Sequence, residues 1–281
     1  INKKHKIMTK IFDLHCHSTA SDGVLSPREV VLRAHEQGVN VLALCDHDTV
    51  DGIDEAQLAA KEIGIKLITG VEISTNWEGR GIHIVGLNFN KMHPKITALL
   101  ESQKILRAKR AIEIGTKLEK VGIPNAYNGA KLFANGEVTR AHYARYLVHI
   151  GKVSNDGQAF KRYLGQGQSA FVKSQWTDIP TAIEAIHAAG GIAVIAHPLR
   201  YNMTGKWVRK LMADFKTWGG DGMEMADCGT TKDQRQMLTR LAGEFKFVGS
   251  VGSDFHFPCG WIELGKNLTL MDEVTPVWTL F

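Results

Sequence analysis

The sequence predicts an α/β fold, a parallel barrel or doubly wound sheet of seven strands that carries an inserted helical subdomain. Three observations predict it. Apolar, strand-like runs alternate with amphipathic helical segments on both sides of the chain's middle. Four short stretches at strand ends hold metal-type ligands: Asp13-Leu14-His15-Cys16-His17, Asp46-His47-Asp48, Ala196-His197-Pro198 and Ser253-Asp254-Phe255-His256. From Met92 to about Ser169 the alternation stops and only helices and loops are expected. Side chains alternate faces along a strand, so a terminal His-x-His points both imidazoles to one side. Several strands ending this way converge their ligands on the C-terminal rim of one sheet.

The elements follow in order. The first strand runs from Ile11 to His17. Ser26-Pro27-Arg28-Glu29 then supplies an N-cap, a proline at the first helical position and the acid of a capping box; that helix ends at Gly38. Val39 to Cys45 is an apolar strand leading into Asp46-His47-Asp48, and a helix from Ile53 to Ile63 stops at Gly64. Strand three, Ile65 to Ser74, contains Gly70-Val71-Glu72; strand four, Gly81 to Asn88, places His83, Val85 and Leu87 on one face. The middle of the chain is read as helices at Ile96–Val121, Val138–Ile150 and Asn155–Leu164, with Gly165-Gln166-Gly167-Gln168 as the exit loop. Helices at Ile179–Ala189, Lys206–Trp218 and Lys232–Glu244 then alternate with strands at Ile192–Ala196, Gly222–Ala226 and Phe247–Ser253. Seven strands rather than eight imply an irregular barrel. The expected divisions are a disordered or appended segment at 1–9 ahead of a native start near Met8, a barrel from 10–91 and 170–281, and a helical cap at 92–169.

With 281 residues, 44% hydrophobic and 22% charged, the composition is that of a globular protein. No apolar run approaches the ~20 residues that cross a bilayer, and no signal pattern opens the chain. Cys16, Cys45, Cys228 and Cys259 form no CxxC pair, so a reducing cytoplasm is expected. Cys16 and Cys45 are read as small buried residues on the far face of their strands. The net charge of +5 is uneven: residues 92–173 hold 14 Lys and Arg against 5 Asp and Glu, leaving the rest mildly acidic. A basic segment beside a metal site points to a polyanionic substrate; a solvated helical surface explains the charge equally well.

Collected in order, the strand-end ligands are His15, His17, Asp22, His47, Glu72, His83, His197, Asp254 and His256. Mixed imidazole and carboxylate donors suit zinc, manganese or ferrous iron rather than a soft thiolate metal. Nine donors exceed one coordination sphere, so two or three ions bridged by Glu72 or Asp254 fit better. Asp13, Asp48 and Glu224 are read as groups behind the ligands, Asp13 on the same inward face as His15 and His17.

The runs DLHCHSTASDG, DHDT, GVE, AHP and SDFH, with a strand histidine, resemble the polymerase and histidinol phosphatase (PHP) superfamily. The resemblance covers residues 10 to 91 and about 170 to 260. It implies a distorted seven-stranded (β/α)7 barrel with up to three metals, and all nine ligand positions are filled, Asp22 standing where some members have His. The helical insertion and the segment VTRAHYARYLV are most similar to a bacterial branch that hydrolyses 3′,5′-nucleoside bisphosphates to 5′-monophosphates. Some members of that branch are 5′-to-3′ exoribonucleases on short RNA. The resemblance thus implies an enzyme acting on nucleotide or short RNA; no obligate protein partner is evident in the sequence, and a monomer is expected.

The chemistry expected of such a site is attack on phosphorus by a metal-bridging hydroxide held by Glu72, Asp254 and His197, with Mn2+ foremost among the candidate ions and Zn2+ or Fe2+ as alternatives. No GxSxG elbow is present. For substrate binding the candidates are Arg140, His142, Arg200 and, more weakly, Lys173; an Arg fork pairs bidentately with phosphate, and each is equally readable as a surface contact. One alternative is a phosphatase of a small metabolite, as in the histidinol-phosphatase branch, which has less need of a basic insertion. Another is an amidohydrolase, which would carry a carbamylated lysine where Glu72 stands. A third is a non-catalytic RNA-binding module, which would lack ligands present here.

Overall fold

The computed structural model describes residues 10–281, so the expected segment 1–9 lies outside the described residues. Its first strand, β1 (Phe12–Cys16), pairs in parallel with β2 (Val41–Leu44), and β2 with β3 (Lys66–Trp77). Between them lie α1 (Pro27–Glu36) and α2 (Ile53–Ile63). The Ser26–Glu29 capping box forms as expected, and Gly64 closes α2 in the left-handed region at φ 78°.

Next the chain departs from a purely parallel sheet. β4 (Arg80–Leu87) runs antiparallel to β3, from Gly70 opposite Leu87 to Trp77 opposite Arg80. Only Glu78 and Gly79 join them, with φ 48° and 74°. Positive φ at both centres of a two-residue loop makes a tight hairpin, so β3 runs three residues past its expected end at Ser74.

The helical insertion begins with α3 (Pro94–Lys120), 27 residues long. Its buried positions, Ile96, Leu99, Leu100, Gln103, Arg107, Ala111, Ile114 and Leu118, recur at helical spacing. The first half of this stripe packs on the barrel, and the second forms a separate core with α4 (Ala126–Lys131) and α5 (Arg140–His149). Thr139 caps α5, which therefore starts two residues later than the apolar pattern implied. The third expected helix is split into α6 (Asp156–Ala159) and a wider π turn at Phe160–Leu164, where the Gly165 amide reaches the Phe160 carbonyl at 2.8 Å.

The sheet resumes with β5 (Thr177–Asp178), a two-residue strand beside Thr75 and Asn76 that the pattern did not reveal. Then come α7 (Ile179–Ala188), β6 (Ile192–Ile195), α8 (Gly205–Thr217), β7 (Gly222–Ala226), α9 (Lys232–Phe245) and β8 (Val248–Val251). The path is β1-β2-β3-β4-β6-β7-β8, with β4 also antiparallel to β6 and β5 off the path. A bridge between Cys16 and Phe255 nearly closes the ring of seven strands. Leu14, Ala43, Val85, Leu87 and Val194 fill its interior, while Ile73, Ile82 and Ile84 pack outward on α7 and α8. Burying each such side chain stabilises the fold by about 1.5–3 kcal/mol. Among the described residues no helix is long and apolar enough to cross a membrane.

At the seam between β8 and β1, Gly252 permits close approach. A Cβ there would overlap that of His15 and lie 3.0 Å from its backbone nitrogen. Asp13 also serves this seam. Its carboxylate accepts from the amides of Ser253 and Gly265, both at 2.9 Å, and of His15. Because β1 carries an irregularity between Asp13 and Cys16, Asp13 does not share the inward face of His15 and His17 as expected, and it touches no imidazole.

Candidate metal centre

Glu72, fully buried on β3, lies at the middle of the rim. Its Oε1 is 2.8 Å from His83 Nδ1 and 2.9 Å from His197 Nε2. Its Oε2 is 2.8 Å from His47 Nδ1 and 3.3 Å from both His15 Nε2 and His17 Nε2. One carboxylate thus faces five imidazoles: His15 on β1 and His17 just after it, His47 after β2, His83 within β4 and His197 after β6. Asp254 Oδ1 adds contacts to His17 Nε2 at 3.1 Å and His256 Nδ1 at 3.6 Å. Asp22 Oδ1 lies 3.3 Å from His256 Nε2 and 3.8 Å from His47 Nε2.

The donor atoms form three overlapping groups: His17, Asp22, His47 and His256; His15, His17, Glu72 and Asp254; and His47, Glu72 and His83. His197 reaches them through Glu72. The arrangement fits divalent cations better than hydrogen bonding. His47 Nδ1 and Glu72 Oε2 are 2.8 Å apart, yet neither makes a well-angled hydrogen bond, and Asp22 Oδ1 is likewise buried without a partner. Buried polar atoms that approach closely but do not bond each other are oriented toward a shared third point. His15 Nε2 and His17 Nε2 lie 3.1 Å apart, within hydrogen-bonding distance, while His17 Nδ1 is buried without a partner.

Charge agrees with this. Burial pushes Glu72 toward its neutral form, but the charges of His83, His47 and His15 outweigh it and hold the carboxyl well below its usual range. Burial is likewise outweighed at Asp22 by His47 and His256, and at Asp254 by His256 and His17. His17 is driven down to about 3 by burial and the neighbouring His256 charge, which keeps it neutral with a lone pair to offer.

The supporting groups are equally specific. Glu224, on β7, accepts from His15 Nδ1 at 2.6 Å and from the His197 amide at 2.6 Å. The first bond turns the His15 Nε2 lone pair to the centre, and the second holds His197 at φ 29°. Asp254 is also left-handed, at φ 52°, with its amide bonded to the His15 carbonyl at 2.8 Å. Asp46 accepts from Ser18 and Ser21 and so fixes the loop that carries Asp22. Asp48 is not behind a ligand. It pairs with Arg107 and accepts from Gln103 and the Ser74 amide, tying α3 to the barrel.

The proposed substrate residues fall in different places. Arg140 and Lys173 line a cavity of about 770 Å³ that reaches the centre through Asp22, His47 and His83. His142 is not on its wall. It is buried in the α5 cap, where its Nδ1 accepts from the Thr139 amide at 2.9 Å, and burial lowers it to about 4. Arg200 lies on another flank, pairing with Asp227 at 2.8 Å and with Asp254.

Sequence reasoning missed Arg107 and Arg110, whose guanidiniums lie over the Trp176 ring at 5.0 and 5.4 Å. Arg140 lies over Phe160 at 5.5 Å, on the π turn. Among the described residues no carboxylate pairs with Arg110 or Arg140. Burial, then Arg140 and Arg107, press Arg110 down to about 9. The missed signal was the interruption of α3's apolar stripe by Gln103 and Arg107.

The chain matches the PHP domain family over residues 13–190. It is 82% identical to a 5′-3′ exoribonuclease of Haemophilus influenzae over 98% of this chain and 100% of that protein. It is 38% identical to a 3′,5′-nucleoside bisphosphate phosphatase of Chromobacterium violaceum, over 95% and 94% of the two chains. It also superposes with a TM-score of 0.91 on an amidohydrolase from Chromobacterium violaceum solved with bound sulfate and no metal, 37% identical, over 95% and 94% of the chains. With the match spanning more than half its length and the barrel rim assembled around Glu72, this chain belongs to the PHP domain family.

Proposed function

We propose that the protein hydrolyses 3′,5′-nucleoside bisphosphates to 5′-monophosphates and trims short 5′-phosphorylated RNA from its 5′ end. It is a phosphate-ester hydrolase of the PHP family, and relatives similar over nearly the whole chain are described by these two activities. The observation that carries the substrate assignment is the uncompensated pair Arg110 and Arg140, opening onto the cavity that His47, His83 and Asp22 border. Two guanidiniums without counter-ions, beside a third, favour a dianion. A nucleotide with one phosphate among these arginines would present its other phosphate to the centre. A small phosphorylated metabolite needs no such second site, and Glu72 stands where amide hydrolysis would want lysine.

The residues proposed to hold two or three divalent ions are His15, His17, Asp22, His47, Glu72, His83, His197, Asp254 and His256, with Mn2+ the preferred ion and Zn2+ or Fe2+ the alternatives. Such ions supply Lewis acidity that neutralises phosphate charge and makes water a better nucleophile. The chain itself orients. Glu72, Asp254 and His197 fix the reacting side, Arg140 with Arg107, Arg110 and Lys173 grips the retained phosphate, and segment 92–169 serves as the cap that covers it. The leaving 3′-oxygen belongs to the nucleotide held by those arginines, and Arg200, beside Asp254, is proposed to face the scissile phosphate from the other side. A cytoplasmic setting fits four unpaired cysteines, and a monomer is proposed with it.

The test is phosphate release from adenosine 3′,5′-bisphosphate by Mn2+-reconstituted protein, with 5′-AMP and a 5′-phosphorylated RNA oligomer alongside. Turnover of the bisphosphate and stepwise shortening of the RNA, with 5′-AMP untouched, is the expected result. No turnover of bisphosphate or RNA with metals bound would reject the assignment.

A further inference from the structure

Two cavities border the centre and a further depression lies beside it, and their charges differ. The basic cavity that holds Arg107, Arg110 and Arg140 is the first. A second, of about 430 Å³, reaches His47 and sets four carboxylates, Asp48, Asp51, Glu101 and Glu137, against Lys104 and Arg107. The third, of about 530 Å³, begins at Arg200, whose guanidinium contacts Asp254, and it also includes Lys266 and Trp261. Trp261 is 72% exposed, and Phe257, four residues earlier, is 41% exposed. Among the described residues the Trp261 ring enters no aromatic or cation–π pair and its Nε1 makes no hydrogen bond. The Lys266 ammonium donates to the Gly260 carbonyl at 3.1 Å, steadying the loop beneath the indole.

This geometry bears on RNA. If the 5′-terminal nucleotide occupies the basic cavity, the chain beyond the scissile phosphate must leave by another side. The second cavity is acidic and repels phosphates. The third offers the Lys266 ammonium and a free aromatic face, the combination that holds single strands without regard to sequence, since every base has a face to stack; its Arg200 is already paired with Asp227 and Asp254. We infer that the Trp261 depression seats the RNA downstream of the scissile phosphate, with a base stacked on Trp261 and a phosphate against Lys266. The inference rests on the function proposed above and adds where the polymer lies.

The test compares wild type, Trp261→Ala and Trp261→Phe on adenosine 3′,5′-bisphosphate and on a 5′-phosphorylated RNA tetramer. Anisotropy of the tetramer carrying a 3′ fluorophore is measured with metal-free protein. The expected result for Trp261→Ala is a rise of about tenfold in KM and Kd for the tetramer, the effect of losing one base stack, with bisphosphate kinetics unchanged. Trp261→Phe should restore most of the loss. Equal losses on both substrates, or unaltered RNA affinity, would overturn the inference and leave the indole to a protein partner. A wild type that hydrolyses the bisphosphate but neither binds nor trims RNA overturns this inference alone. Activity on neither substrate brings down the functional assignment beneath it.

Discussion

Replacing Arg110 with methionine should weaken catalysis without weakening the fold, an unusual pairing that follows from its surroundings. The guanidinium is pressed down to about 9 by burial and by Arg140 and Arg107. A lowered value on a cation means that the folded state penalises the charged form at neutral pH. The full shift corresponds to about 5 kcal/mol at most, by 1.36 kcal/mol per unit, and solvent screening of this partly exposed group reduces it to about 1–2 kcal/mol. Against that relief stands one lost hydrogen bond, from Nε to the Val172 carbonyl at 3.3 Å, costing about 1 kcal/mol. Methionine keeps contact with Trp176. The balance is between zero and about +1 kcal/mol, so the melting temperature should hold or rise by about 2–4 °C. Catalysis moves the other way. A charge-assisted bond to a phosphate contributes about 1.5–3 kcal/mol, so kcat/KM for the bisphosphate should fall roughly 10- to 150-fold. Differential scanning fluorimetry of the metal-free protein and steady-state phosphate release would be run together. A drop in melting temperature above 5 °C would show that Arg110 is a structural cation, and unchanged kcat/KM would show that no phosphate sits among the arginines.

Other outcomes follow from the centre. Glu72→Gln removes the charge that five imidazoles face, so bound metal measured by plasma emission should fall below one ion per chain and turnover by at least about 10³-fold; full metal content would refute the hub. Glu224→Gln weakens the acceptor on His15 Nδ1 and should lower metal affinity about 10- to 100-fold while leaving circular dichroism intact. Burial opposes protonation of His256, but Asp22 and Asp254 outweigh it and raise the imidazole to about 9. At pH 7 the metal-free protein therefore holds a proton that a ligating imidazole must shed, and Mn2+ affinity should climb with pH until about 9. Calorimetry in buffers of different ionisation enthalpy reads the released proton directly, and a buffer-independent enthalpy would contradict it.

The strand-end positions were legible because a period-2 pattern closes on residues whose chemistry is unmistakable; His15, His17, His47, Glu72, His197 and Asp254 all stand where their motifs placed them on the rim. The antiparallel hairpin was not, because Glu78-Gly79 is a weaker turn signature than Asn-Gly and the eye follows Ser74 as the end of the strand. β5 escaped because two residues carry no period. Asp13 misled because one backbone irregularity in β1 breaks the alternation on which its assignment depended. Arg107 and Arg110 were hidden in a long charged helix, where only the three-dimensional stripe separates an inward arginine from a solvated one. His142 went wrong for a different reason: a histidine three residues after a threonine can close a helix cap as well as face a substrate.

The buried link between Asp48 and Arg107, with Gln103 beside it, resists any separation of α3 from the barrel. Breaking a buried ion pair costs about 3–5 kcal/mol, so an α3 swung away from the barrel would be populated only about once in 150 to 5,000 molecules. For the function proposed above, this favours substrate entering a standing cleft over entry that waits for α3 to leave the barrel.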